Sequence, residues 1–318
     1  MIKVTNNTYI LNLDPGFRPV AINEEIAFTQ FKFKGGEPHI RLETEHKYND
    51  AKLVITHRVT SPEALFMLQL AVDAARRVGF KEIALVIPYF PGARQDRVCN
   101  EGEPLTIKVY TDIINSLNAT EVHILSPHSE VTPALINNVV VHDELEYAEK
   151  VIRHIGGHNL KYQEFNIVCP DAGAGKRVMK IIKHLDSVFG NAPYCHQFKL
   201  VRCEKTRDVK TGNITDFHVD ADDLDSQPTI IFDDILSYGG TFRGLAAKLR
   251  EKNCGELILF TAHADAIEGI YNMLDVFDFV FTTNSLPRAK VQNEKFVTFD
   301  FKINTIQYLK LFKTPDNV

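Results

Sequence analysis

The apolar positions of this chain change period along its length, and the changes mark out its elements. Short apolar-rich runs at Tyr9–Leu13, Ile26–Phe33 and His39–Leu42 predict strands, the last two joined through a Gly35-Gly36 turn. A helix follows further on. Ser61 suits its N-cap, Pro62 suits its first position, and Leu65, Leu68 and Ala71 recur on one face. The chain then alternates. Ile83–Ile87 reads as a strand, a loop with glycine and arginine follows, and a helix from Pro104 to Leu117 precedes strand Val122–Leu125. Later come strand Asn166–Cys169, helix Lys176–Leu185, strand Thr229–Phe232, helix Gly240–Glu251 and strand Glu256–Thr261.

Continuous apolar strands alternating with amphipathic helices predict an α/β class, with parallel sheets flanked by helices on both faces. The pattern occurs twice without a clear sequence repeat, and 318 residues suit about two domains. The expected division is 1–145 and 146–318, with the junction near His142–Lys150 and roughly the last 20 residues packing back on the first domain.

Composition narrows the function classes. An apolar fraction of 44% can build real cores. The net charge of −5 is spread with mixed signs, which argues against nucleic-acid and membrane-surface partners. Five cysteines, with no CxxC spacing, argue against a disulfide framework and a zinc site and fit a reducing compartment. The N-terminal segment lacks a basic region followed by an apolar run, and no apolar run approaches the ~18–20 residues of a membrane span. The expectation is a soluble, cytoplasmic protein.

In open α/β sheets ligands bind beyond the carboxyl ends of strands, so candidate chemistry is sought there. After Thr229–Phe232 come Asp233-Asp234 and then Ser237-Tyr238-Gly239-Gly240-Thr241. Adjacent acids can accept hydrogen bonds from the vicinal hydroxyls of a ribose, and glycines at a helix N-terminus let backbone N–H groups approach a phosphate. The plainer alternative is a solvated turn. After Asn166–Cys169 comes Asp171-Ala172-Gly173-Ala174, another loop of small residues that can face an anion. Asp171 could hold a metal or a sugar hydroxyl. The segment Pro88–Arg97 sets Arg94 and Arg97 around Gln95-Asp96; it suits phosphate oxygens or an internal ion pair equally. His128 follows strand Val122–Leu125, where a metal or phosphate role competes with a structural one. Lys205 and Arg207 lie two apart in a polar hairpin or mobile loop and would face one side if extended; an exposed charged loop is the plainer reading.

Together these segments resemble the ribose-phosphate pyrophosphokinase (PRPP synthetase) family. The similarity runs from about Phe33 to about Leu259, with the ARQDR core of Pro88–Arg97 as its most specific piece. The resemblance implies two phosphoribosyltransferase-like (Rossmann-like) domains, Mg²⁺, ATP and a ribosyl phosphate as substrates, and a homo-oligomer, dimer or hexamer. It implies that Phe33, Gly35, Gly36 and Glu37 contact adenine from a neighbouring subunit, and that Arg94, Gln95 and Arg97 serve ATP. It places His128 and Asp171 at magnesium and Asp171 to Ala174 on the pyrophosphate. Lys205 and Arg207 fall on the catalytic cations, Asp233 and Asp234 on the ribose hydroxyls, and Ser237 to Thr241 on the sugar phosphate.

Three segments depart from the family pattern. The phosphate loop reads Ser237-Tyr238 where Asp-Thr is usual, Val98–Glu103 replaces a basic run that helps bind a regulatory phosphate or ADP, and Ser126-Pro127-His128-Ser129 replaces Asp-Leu-His-Ala. Gly35 also stands where the FSDGE pattern has aspartate. Tyr238 suggests a second acceptor, ADP-ribose, whose phosphate is esterified and whose adenosine could stack on the ring. Two other classes compete: a non-catalytic regulatory subunit of this family, and a phosphoribosyltransferase, which shares the two-acid and Gly-Gly-Thr loop.

Overall fold

The computed structural model describes residues 7–21, 24–44, 48–157, 162–191, 195–207, 214–287 and 291–303. They form two compact units. The first takes the described residues up to His142, then Ser285–Pro287 and those from Asp300 on; the second takes those from Asp143 to Asn284 and the remainder up to Phe299.

The first unit contains β1 (Thr8–Asn12), β2 (Phe28–Lys32), β3 (Pro38–Leu42), β4 (Lys52–Thr56), α1 (Pro62–Arg77), β5 (Glu82–Val86), α2 (Thr106–Ser116), β6 (Glu121–Leu125), α3 (Val131–Leu135) and β7 (Val139–His142). Its sheet runs β1-β4-β5-β6-β7, parallel throughout. Leu53, Val54, Ile55, Ala84, Leu85 and Val86 are all fully buried, so β4 and β5 are apolar on both faces, as strands covered on both sides must be. β2 and β3 form a separate antiparallel hairpin, closed by Phe33 N–H donating to the Glu37 carbonyl at 2.9 Å. α1 starts at the expected place: Ser61 Oγ accepts from Ala64 N–H at 3.1 Å, and Leu65, Leu68, Ala71, Val72 and Ala75 fill its buried stripe.

The second unit contains α4 (Leu145–Ile152), β8 (Glu164–Cys169), α5 (Gly175–Phe189), β9 (Gln197–Arg207), β10 (Ile214–Val219), β11 (Thr229–Leu236), α6 (Gly240–Glu251), β12 (Leu257–Ala264), α7 (Ile267–Leu274), β13 (Phe279–Thr283) and β14 (Phe296–Phe299). The order is β10-β9-β8-β11-β12-β13-β14; only β10 is antiparallel to its neighbour. Ile231 joins one core with Leu245, Leu249 and Met273 of α6 and α7. Ile230 and Phe232 alternate to the other face, where Phe232 meets Phe260 and Phe260 stacks on Tyr147 of α4. Helices therefore cover both faces.

β11 is longer than its sequence predicts. The apolar run ends at Phe232, yet pairing with β12 continues through Asp233↔Thr261 to Leu236↔Ala264. The two acids are strand residues rather than loop residues, because a long buried neighbour goes on supplying backbone partners past the last apolar side chain. No helix among the described residues is long and apolar enough to cross a membrane.

Ser61→Ala removes the side-chain cap of α1 and is expected to cost about 1 kcal/mol, read as a lower midpoint in urea melts, while Ser61→Asp retains most of the stability.

Candidate active site

At the carboxyl end of the second sheet, three neighbouring elements deliver charged side chains. β8 ends at Cys169, and Asp171 then caps a single 3-10 turn, Ala172–Ala174: its Oδ1 accepts from Ala174 N–H at 3.1 Å. Lys205, on the adjacent β9, donates to Oδ2 of the same carboxylate. Burial alone would push the Asp171 carboxyl up, but the hydrogen bond and charge of Lys205, with the N–H groups of Ala174 and Gly173, hold it below the ordinary carboxylate range. Asp171 and Lys205 are both half-buried.

Arg177 lies in the first turn of α5 and reaches β11. Its guanidinium donates to Asp233 at 2.7 Å and to Asp234 at 3.1 Å, and pairs with Glu144 at 3.2 Å. Asp234 and Glu144 are buried. Burial and the adjacent Asp234 carboxyl push Asp233 up to about 7, with Arg177 pulling the other way. Three acids around one cation leave this cluster negative, and a group able to share hydrogen bonds with Asp233 is favoured there.

β11 ends in Ser237–Gly239, and α6 opens at Gly240. Gly239 has φ +81°, a left-handed conformation that a side chain resists, and no side chain caps the helix. The first N–H groups of α6 are thus left for an anion. α7 presses on the loop from behind: a Cβ on Gly269 would lie 1.5 Å from the Ser237 carbonyl oxygen. Ser237 Oγ donates to Asp265 at 2.7 Å, and Asn272 Nδ2 donates to the Tyr238 carbonyl at 3.1 Å. Further along α6, Gly244 faces Phe217 of β10, 2.5 Å from where a Cβ would sit, and Phe217 is the register partner of Lys205.

Residues 23–117 match the family model for the N-terminal domain of ribose phosphate pyrophosphokinase. A ribose-phosphate pyrophosphokinase of Pyrococcus abyssi is 28% identical over 271 residues, covering 84% of this chain and 85% of the relative. One from Corynebacterium glutamicum is 22% identical over 259 residues, covering 81% and 76%. The solved phosphoribosylpyrophosphate synthetase of Mycobacterium smegmatis superposes with a TM-score of 0.72 over 96% of both chains at 20% identity. Over most of its length the chain is thus similar to ribose-phosphate pyrophosphokinases.

The likeness to the Mycobacterium smegmatis structure extends over both parallel α/β units. The residues proposed from sequence divide between those units. Phe33, Gly35, Gly36 and Glu37 form the exposed tip of the β2–β3 hairpin, where the Phe31 and Phe33 rings pack edge to face at 5.2 Å. Arg94, Gln95 and Arg97 are exposed in the loop between β5 and α2. Within that loop Glu103 accepts from the N–H groups of Cys99 and Asn100, both at 3.0 Å, so the segment lacking the usual basic run is closed by a carboxylate. His128 is exposed after β6, where Ser126 turns the chain at φ +38°. The second unit brings Asp171 and Lys205 together, and Asp233 and Asp234 together.

The polar segment around Lys205 is a hairpin strand, not a free loop. Arg202–Arg207 continue β9, paired with β10, and the side chain of Arg207 and residues 208–213 lie outside the described residues. The cysteines beside this strand are poor nucleophiles: burial pushes Cys203 up to about 12 and Cys169 above its usual value. Arg177, Glu144 and Asp265 were missed as site residues. The sequence did hold one signal, since two adjacent acids after a buried strand require a cation, and Arg177 heads the helix beside them.

Among the described residues no three His, Cys, Asp or Glu side chains cluster as a metal cage. One ionised carboxylate at Asp171 nevertheless fits magnesium, which is commonly held by one or two carboxylates together with substrate phosphates.

Arg177→Ala leaves Asp233, Asp234 and Glu144 without their shared cation and is expected to destabilise by about 3–5 kcal/mol. The carboxyls of the variant hold protons more tightly folded than unfolded, so its stability falls as pH rises. Thermal melts at about pH 5.5 and about pH 8 should show the larger deficit at the higher pH.

Proposed function

We propose that the chain is a ribose-phosphate diphosphokinase, transferring the β,γ-pyrophosphate of Mg-ATP to the anomeric C1 hydroxyl of ribose 5-phosphate and giving PRPP and AMP. The observation that carries this reading is the gathering at the carboxyl end of one sheet of the Asp171–Lys205 pair, the Asp233–Asp234 couple and the uncapped α6. The similarity to ribose-phosphate pyrophosphokinases supports it.

In this reading Asp233 and Asp234 accept from the ribose hydroxyls, with Arg177 limiting their mutual repulsion. The N–H groups from Ser237 to Thr241 hold the 5-phosphate. The anomeric oxygen attacks the β-phosphorus in line. A bond from that oxygen to phosphorus forms, the bond from the β-phosphorus to the oxygen bridging to the α-phosphorus breaks, and AMP departs with the bridging oxygen. Such transfers depend on positioning and charge neutralisation rather than on a covalent enzyme intermediate. Lys205 and Arg207 supply positive charge for the phosphoryl oxygens, and Ala172–Ala174 offer backbone N–H groups to the pyrophosphate. Magnesium would neutralise phosphate charge when bound, and Asp171 would hold it in the second unit; His128 is a further candidate ligand by resemblance alone. Arg94, Gln95 and Arg97 serve the ATP phosphates, and the Phe33–Glu37 tip serves adenine of a neighbouring subunit, which makes a dimer or hexamer part of the reading.

A phosphoribosyltransferase would not require ATP, and a regulatory subunit would not turn over. Lys205→Ala should lower AMP formation from Mg-ATP and ribose 5-phosphate by at least about 100-fold, measured by chromatography. A variant as active as the wild type would remove Lys205 from the chemistry.

A further inference from the structure

The loop read as the phosphate cradle also carries an exposed aromatic ring. Tyr238 sits in the middle of the cradle with 71% of its surface exposed. Its backbone is fixed by the Asn272 hydrogen bond at 3.1 Å and by α7, since a Cβ on Gly269 would lie 3.3 Å from the Tyr238 Cα. A held backbone therefore presents an aromatic ring to solvent beside a phosphate site, and a tyrosine loses only two torsions on stacking. Asp265 adjoins it at the end of β12: its N–H donates to the Leu236 carbonyl at 3.0 Å, and its carboxylate accepts Ser237 Oγ at 2.7 Å. A carboxylate at this rim repels a phosphate dianion and attracts hydroxyls. An exposed ring and, hydrogen-bonded to the residue before it, a hydroxyl acceptor suit a nucleoside.

We infer that the acceptor site extends past the 5-phosphate, so that the protein also transfers diphosphate to the free ribosyl end of a nucleoside diphosphate ribose. The distal base stacks on Tyr238 and the distal ribose hydroxyls bind at Asp265. The inference rests on the diphosphokinase reading above. It adds a bridged phosphate with one negative charge where a monoester carries up to two. The bonds made and broken are the same: anomeric oxygen to β-phosphorus forms, β-phosphorus to the bridging oxygen breaks, AMP leaves, and the anomeric proton passes to solvent.

The test incubates the full chain with Mg-ATP and either ribose 5-phosphate or ADP-ribose, identifying products by mass spectrometry. ADP-ribose should gain one diphosphate. Tyr238→Thr should lower the ratio of kcat/KM for ADP-ribose over ribose 5-phosphate by about 10-fold, and Asp265→Asn by about 3-fold. Consumption of ADP-ribose alone also supports the extension and overturns ribose 5-phosphate as the acceptor. Ribose 5-phosphate reacting while ADP-ribose does not overturns the extension and leaves the diphosphokinase reading standing. No diphosphorylated product from either acceptor overturns the reading beneath it. A ratio moved by neither variant overturns the assignment of Tyr238 and Asp265.

Discussion

Arg177 is the interaction on which the second unit's site depends. Two acids side by side at the end of a buried strand repel each other, and Glu144 adds a third negative charge. One guanidinium, with several donors in a rigid fork, can satisfy more than one carboxylate at once, which an ammonium on a flexible stem does less well. The compensation is incomplete, as the raised Asp233 shows. Asp233 thus remains inclined toward any partner that can share a proton or donate a hydrogen bond, and a sugar hydroxyl is such a partner.

Much of the fold is legible in the amino-acid sequence, because buried parallel strands must be apolar on both faces and their helices must be striped. The Gly240–Glu251 helix lies where its pattern puts it, and the Ser61 cap marks α1 to the residue. Strand ends are less legible. The apolar signal of β11 stops at Phe232, but its backbone keeps pairing with β12, and β12 itself runs to Ala264. Hydrogen-bond partners across a sheet are long-range information that a local pattern does not contain.

The site is legible in part for the same reason. Asp171, Asp233 and Asp234 stand out because acids directly after buried strands are unusual, whereas Lys205 is singled out only by the family resemblance. Arg177 and Glu144 do not stand out, because a lone charge near a helix start is ordinary until its partners are known. Polar character also misleads around Lys205: the segment reads as exposed, but its backbone is paired and its lysine is half-buried against Asp171.

Phe217 connects two parts of this region that are far apart in sequence. Its ring fills the hollow at Gly244 on α6, and across the ladder it stands opposite Lys205. Closely packed interiors have little slack. A bulkier residue at 244 would therefore drive the Phe217 ring, like a wedge, into the strand pair that carries the lysine.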